Sequence, residues 1–215
     1  MRRLLRIWPE RRRRATALLT VLMLLMCAPG LARAATPDGG GAAGFLTEVT
    51  GRAMAQLSEP GLTDAEQKLR FRRLLGEAFD LPAIGRFVLG RYWRRADAAQ
   101  RSDFLDAFED MMLHRFLPLF SHLSGERFDI GPSRPYKNNP DFVNVESKLR
   151  RETGEPIRVN WRVRKYGEGY KIVDIIAEGV SIAVTLRSEY VSVLKRNGGD
   201  VDALTLVLRE KAKGL

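Results

Sequence analysis

The chain has 215 residues, 45% of them hydrophobic and 29% charged, and its 36 Lys and Arg against 26 Asp and Glu give a formal net charge of +10. Those proportions belong to a globular chain about one domain long and exclude a disordered tail, a collagen-like repeat and a polytopic membrane protein. The charge is local: residues 1–34 hold eight arginines against the single acid Glu10, which leaves residues 35–215 at +3 and gives no reason to expect a nucleic-acid partner.

Residues 1–34 read as a cleavable secretory signal peptide. Seven arginines, from Arg2 to Arg14, precede the apolar stretch 15–26, which is too short to span a bilayer stably, and the small Ala32 and Ala34 suit a peptidase cutting before Ala35. An uncleaved anchor is the alternative. The only cysteine, Cys27, falls inside this segment, so residues 35–215, read as one domain, hold no disulfide, cysteine nucleophile or Cys-ligated zinc.

A Gly/Ala/Pro-rich lead over residues 36–44 is followed by a helical period through Phe45, Leu46, Val49, Ala53 and Leu57, broken at Pro60-Gly61. Thr63 with Glu66 has the form of a capping box and opens a second helix through Leu69, Phe71, Leu74, Leu75 and Phe79. Asp80 is placed to cap a short third helix, with Pro82 in its first turn and Gly90 at its end. Asp97 with Gln100 starts the longest helix, where Phe104, Leu105, Phe108, Met111, Met112, Phe116 and Leu119 share a stripe and Pro118 ends or kinks the last turn.

Strands follow. Residues 127–130 predict a short one, and the proline-rich stretch 132–140 predicts a loop. Extended segments are expected over 142–149, 157–165, 170–177 and 180–186, the second with strict alternation of Ile157, Val159, Trp161 and Val163 against Arg158, Asn160, Arg162 and Arg164. Short turns between them require antiparallel neighbours. Two closing helices, over 188–196 and 201–211, are split by Asn197-Gly198-Gly199. The order implies an α+β fold with N-terminal helices packed on one face of a strongly bent antiparallel sheet, a cone that either fills with side chains or stays open as an apolar pocket.

From Phe79 onward a series of short motifs accumulates: Phe79-Asp80 with Ile84, then Leu89-Gly90-Arg91-Tyr92-Trp93, then Gln100-Arg101 with Phe104 and Phe108. It continues through Tyr170-Lys171-Ile172-Val173-Asp174-Ile175 into Glu178-Gly179-Val180-Ser181 and Arg187. In order and spacing the series resembles the MlaC or toluene-tolerance family of periplasmic phospholipid-binding proteins, which includes a hopanoid-associated branch. The chain departs from it at Tyr170, where the family commonly has Trp, and at Thr185-Leu186, where it commonly has Asn-Tyr. The resemblance implies an NTF2-like cone and a soluble carrier of phospholipid or a related lipid between the two membranes of a Gram-negative envelope. It implies as partners an inner-membrane MCE-type ABC transporter and an outer-membrane lipoprotein complex, with transient membrane contact and no cofactor or metal.

A lipid carrier needs a long, dry wall, because acyl chains offer almost nothing to hydrogen-bond. Val143, Val145, Trp161, Val163, Ile172, Ile176, Ile182, Val184 and Leu186, roofed by Phe87, Phe104, Phe108 and Met112, are the expected lining, and an ordinary filled core is the plain alternative. Arg187 is a candidate for head-group or partner contact, with an ion pair to Glu178 or Glu189 as the rival assignment. Arg158, Arg162, Arg164 and Lys165 read as a solvated sheet face or a basic docking surface. A small hydrolase or isomerase on the same scaffold would need Asp110 with His114, His122 or Asp174. The first two are expected to face solvent, and Asp174 is expected to tie strand to helix. A non-binding envelope adaptor is the third reading.

Overall fold

The structure is a computed structural model and describes residues 41–120, 126–137 and 139–214. The proposed export segment, Cys27 and His122 lie outside those residues. Six α-helices and five strands follow one another as α1 Ala42–Leu57, α2 Asp64–Ala78, α3 Leu81–Leu89, α4 Ala98–Phe120, β1 Arg127–Tyr136, β2 Asn139–Arg150, β3 Ile157–Tyr166, β4 Gly169–Ala177, β5 Val180–Ser181, α5 Ile182–Arg196 and α6 Val201–Ala212. A short 3-10 helix, Gly90–Arg94, continues α3. No helix among them is long and apolar enough to cross a membrane.

The helix starts follow the side-chain chemistry of the sequence. At α2 the Thr63 hydroxyl accepts the Glu66 N–H at 3.2 Å while the Glu66 carboxylate takes the Thr63 N–H at 2.9 Å, a reciprocal capping box. The bond from the Thr63 N–H first, and then one from the Thr63 hydroxyl to the same carboxylate at 2.7 Å, hold the Glu66 carboxyl below its usual range. Asp80 caps α3 by accepting the Ala83 N–H at 3.0 Å, and Asp97 caps α4 by accepting the Gln100 N–H at 2.9 Å.

The five strands form one antiparallel meander in chain order. Its far edge, β1, keeps Pro132 and Pro135 inside the strand and breaks register with β2 near both, so the expected loop is an edge strand where a missing donor costs no ladder bond. At the other end, Asp80 N–H donates to the Ile172 carbonyl at 3.0 Å and Phe79 bridges Ile172 in parallel, covering the part of β4 that β5 leaves unpaired.

The expected strand over 180–186 stops at Ser181. From Ile182 the backbone is helical, and α5 runs on to Arg196 because Ser181 is its N-cap, accepting the Val184 N–H at 3.1 Å. Buried Ala183, Leu186, Tyr190 and Leu194 then recur every three or four residues, the helical period rather than the two-residue one.

Two apolar interiors result. The larger joins the end of α1, at Leu57, to α2, α3, α4, α5 and α6 around Phe104, Phe108, Leu186, Leu194, Leu204 and Leu208; the smaller lies between the start of α1, Ala78 of α2 and the sheet. Phe79 packs against both. In the larger, Tyr190 stands edge-on to the stacked Phe104 and Phe108 rings, at 6.4 and 6.2 Å, and its hydroxyl is buried without a hydrogen-bond partner among the described residues. Burial pushes the Tyr190 phenol well above its ordinary value of 10.0. Tyr190→Phe is therefore expected to raise stability by up to about 1 kcal/mol in urea titration, since it removes a stranded hydroxyl and keeps the ring. Because the buried phenol stays protonated where the unfolded one ionises, stability is unaffected by this group below about pH 10 and falls as pH rises above it. The variant should accordingly lose stability less steeply than the parent in alkaline solution.

Candidate functional site

The inner face of the sheet is a continuous apolar wall. Register places Val145 opposite Trp161, Val143 opposite Val163 and Ser147 opposite Val159, and alternation turns these side chains to the same side. Across β3 and β4, Trp161 faces Ile175 and Val163 faces Ile172, with a bulge at Val173. That extra residue changes the expected lining: Ile172 stays on the wall, Ile175 joins it, and Ile176 turns to the opposite face with Asn160. Val145, Trp161, Val163 and Ile172 are buried and Val143 is half-buried.

One hydroxyl sits in this wall, and it is satisfied. Trp161 Nε1–H donates to Ser147 Oγ at 2.8 Å, and that hydroxyl donates to the Val159 carbonyl at 2.7 Å. The wall therefore offers hydrocarbon no stranded polar group. Phe128 meets Trp161 edge-on at 5.4 Å and closes one end, while Phe45 tilts against Tyr170 at 6.0 Å at another.

The roof differs from the one expected. Ala42, Ala43, Leu46 and Val49 of α1 cover the sheet, and the small Ala42 and Ala43 let the helix sit close. Phe104, Phe108 and Met112 instead belong to the interior among the helices, where Leu186 joins them and Ile182 packs at the border. The apolar stripe of α4 marked which residues are buried but carried no information on what buries them. Phe87 and Val184 are 40% and 52% exposed, on α3 and α5, and line neither interior. The sequence marked α1 as a helical period from Phe45 and left Ala42 and Ala43 in the lead before it, where the helix has already begun.

Asp174 anchors the junction of sheet and helices. Its carboxylate is buried, accepts the Ser181 hydroxyl at 2.7 Å and the Ala183 N–H at 3.0 Å, and meets Arg162 Nη1 at 3.4 Å. A carboxylate at the first turn of α5 is also favoured by the helix dipole. With both oxygens occupied it ties strand to helix, as its position between Val173 and Ile175 implied. Arg162 is half-buried and stacks on Tyr136 at 4.2 Å, so it is held more firmly than a solvated-face residue. Asp110, its side chain 47% exposed as expected, also pairs with Arg72 of α2 at 2.6 Å, and this pairing raises the Arg72 guanidinium above its ordinary value. His114, one turn on, is exposed.

Arg187 pairs with neither expected acid. Arg158 takes Glu178 at 3.5 Å and Arg115 takes Glu189 at 2.9 Å, while Arg187 Nη1 donates to the Phe87 carbonyl at 3.1 Å and its guanidinium lies 4.9 Å from the Phe87 ring centre. The same guanidinium lies against Gly90, whose φ of 56° suits glycine and where a Cβ would come within 3.0 Å of Nη2. A crevice of about 190 Å3 opens elsewhere, between α2, α3 and α4, lined by Phe79, Leu81, Pro82 and Leu105 with Asp106 and Glu109 at hand. Among the expected lining residues none borders it, and its volume is below that of a site for a whole lipid.

The family model for the MlaC protein matches residues 47–210. The chain is 24% identical over 136 residues to the intermembrane phospholipid transport system binding protein MlaC of Haemophilus influenzae, and the match covers 62% of each chain. It is 21% identical over 183 residues to toluene tolerance protein ttg2D of Pseudomonas putida, covering 85% of this chain and 84% of the relative. The fold is shared with a phospholipid-binding protein from Ralstonia solanacearum solved in complex with a phospholipid, at a TM-score of 0.70 and 21% identity, over 80% of this chain and 97% of that one.

Proposed function

Because this chain belongs to the MlaC family, we propose that it is a non-catalytic periplasmic carrier that sequesters phospholipid acyl chains and moves them between inner and outer membranes. In this reading residues 1–34 direct export and are removed, residues 35–215 form the single lipid-binding domain, and an MCE-type ABC transporter and an outer-membrane lipoprotein complex load and unload it. The observation that carries the reading is the dry inner wall of the sheet, roofed by α1 with Ala78 of α2 and joined to the helical interior at Phe79.

Each methylene left in water costs about 0.8 kcal/mol, so a chain of about 16 carbons left bare costs roughly 12 kcal/mol. A carrier must therefore cover nearly the whole chain. Hydrocarbon lodged between α1 and Val143, Val145, Trp161, Val163 and Ile172 would be covered on both sides, with Ile175 extending the wall. Parting two surfaces that are already apolar strands no donor or acceptor. In this arrangement Phe104, Phe108, Met112 and Leu186 act as the rigid frame beside the site, and Arg187, already held by Phe87, faces a head group only from the rim.

The test is direct. Protein purified from the envelope of an expressing Gram-negative host and extracted with organic solvent should yield phospholipid by mass spectrometry. No lipid in the extract, together with no uptake from labelled vesicles, would overturn the proposal.

A further inference from the structure

The basic surface expected on β3 is largely engaged, since Arg158 and Arg162 pair with acids and Arg164 lies over Phe142 and Tyr166. A second basic surface meets only neutral groups, Arg91 the Tyr92 hydroxyl at 2.9 Å and Arg187 the Phe87 carbonyl at 3.1 Å. Arg86, Arg91, Arg94 and Arg95 come from α3 and the 3-10 turn after it, and with Arg187 of α5 they have no ion pair among the described residues. All five are exposed. Together they carry +5, where residues 35–215 as a whole carry +3.

Their placement follows from helix geometry. Gly90, at a φ of 56°, ends α3, and beyond it Arg91 and Arg94 eclipse each other across the 3-10 turn in a row that starts where Arg187 lies against Gly90. Arg187 closes the row from α5 by stacking on Phe87, and Val184 lies one turn before it. Phe87 and Val184 are among the large apolar side chains left exposed in the protein. The patch thus mixes unpaired arginines with an aromatic ring and a branched aliphatic, the composition of a segment that lies in a membrane interface. An acidic protein surface would satisfy the charges but leave the ring and the valine without an apolar counterpart.

We propose that this face, built on Phe87, Arg91, Arg94, Arg95, Val184 and Arg187, docks the protein on a bilayer surface carrying anionic phospholipid. Phe87 and Val184 enter the head-group layer while the arginines meet the phosphates. The inference rests on the carrier reading for its purpose, since it would hold the carrier at the membrane where cargo is exchanged, but its evidence is separate from the wall under α1.

Protein purified as above is mixed with phosphatidylcholine vesicles, with or without phosphatidylglycerol, and sedimented across a salt series. Binding to the phosphatidylglycerol vesicles alone, weakening as salt rises, is expected. Arg91→Glu/Arg94→Glu/Arg95→Glu should weaken it at least about tenfold, given roughly a fivefold contribution per charge, and Phe87→Ser should weaken it at unchanged salt dependence. Circular dichroism and extracted-lipid content, measured on each variant, should match the parent. If the triple variant unfolds, Arg94→Glu/Arg95→Glu, both exposed and without hydrogen bonds to other side chains, replaces it in the comparison. Equal binding to both vesicle types, no binding by the parent, or full binding by the charge-reversed variants overturns the docking proposal. The first result would leave nonspecific adsorption, and the second an acidic protein as the partner. Failure of the carrier reading shows instead as an empty lipid extract, whatever the vesicles do.

Discussion

Val163→Trp is expected to leave the protein folded and nearly empty of lipid. Val163 is fully buried in the middle of the wall, between Val143 on β2 and Ile172 on β4 and beneath α1. An indole there needs room that a valine does not, and in a closed core such overpacking typically costs about 1–3 kcal/mol and disturbs the backbone. If α1 lifts from the sheet to admit hydrocarbon, the indole takes the space the chain would have used. Extracted phospholipid per mole of protein should then fall by at least about tenfold while cooperative unfolding persists. Val184→Trp is the control: Val184 projects from the first turn of α5 and is 52% exposed, so lipid content and melting should both stay at parental values. Full lipid content in Val163→Trp would remove the wall from the site, and outright unfolding would mean that this interior never opens.

Asp174→Ala should cost more stability than the loss of any one helix cap, which is typically worth about 1 kcal/mol. Removing the carboxylate leaves the Arg162 guanidinium without its acid, the Ser181 hydroxyl without its acceptor and the Ala183 N–H unsatisfied at the start of α5. Breaking a buried pair by deleting one partner typically costs about 3–5 kcal/mol. Arg162 is only half-buried, which puts the expectation near about 3 kcal/mol in urea titration. Asp174→Asn, whose single amide oxygen can still accept the Ala183 N–H while its NH2 can donate to the Ser181 hydroxyl but which loses the charge, should fall between Asp174→Ala and the parent. A loss below about 1 kcal/mol for Asp174→Ala would show that β4 and α5 are held together by packing alone.

These expectations rest on features of unequal legibility in the sequence. The starts of α2, α3 and α4 could be read because each is fixed by chemistry within four residues: Thr63 with Glu66, Asp80 with Ala83, Asp97 with Gln100. Strand β3 could be read because one buried face and one polar face alternate strictly over its length. The passage from β5 to α5 could not, since Val180, Ile182, Val184 and Leu186 alternate as a strand would. The discriminating signs were Ser181 as a cap and the continuation of the helical period to Leu194. The bulge at Val173 leaves no mark in local composition, yet it decides that Ile175 and not Ile176 lies on the wall. The partner of α4 was equally hidden, because periodicity identifies a buried face and long-range packing chooses what covers it.

The two interiors that meet at Phe79 also bear on how cargo would be exchanged. Stability need not be uniform across a protein, and units with separate cores can loosen at separate free energies. The start of α1, Ala42 to Val49, packs only in the smaller interior, and α1 joins Phe104, Phe108, Leu194 and Leu208 in the larger only at its far end, through Ala53 and Leu57. Such a molecule could surrender its load through a partial, reversible melting of its smaller half, far short of the energy needed to unravel the whole chain.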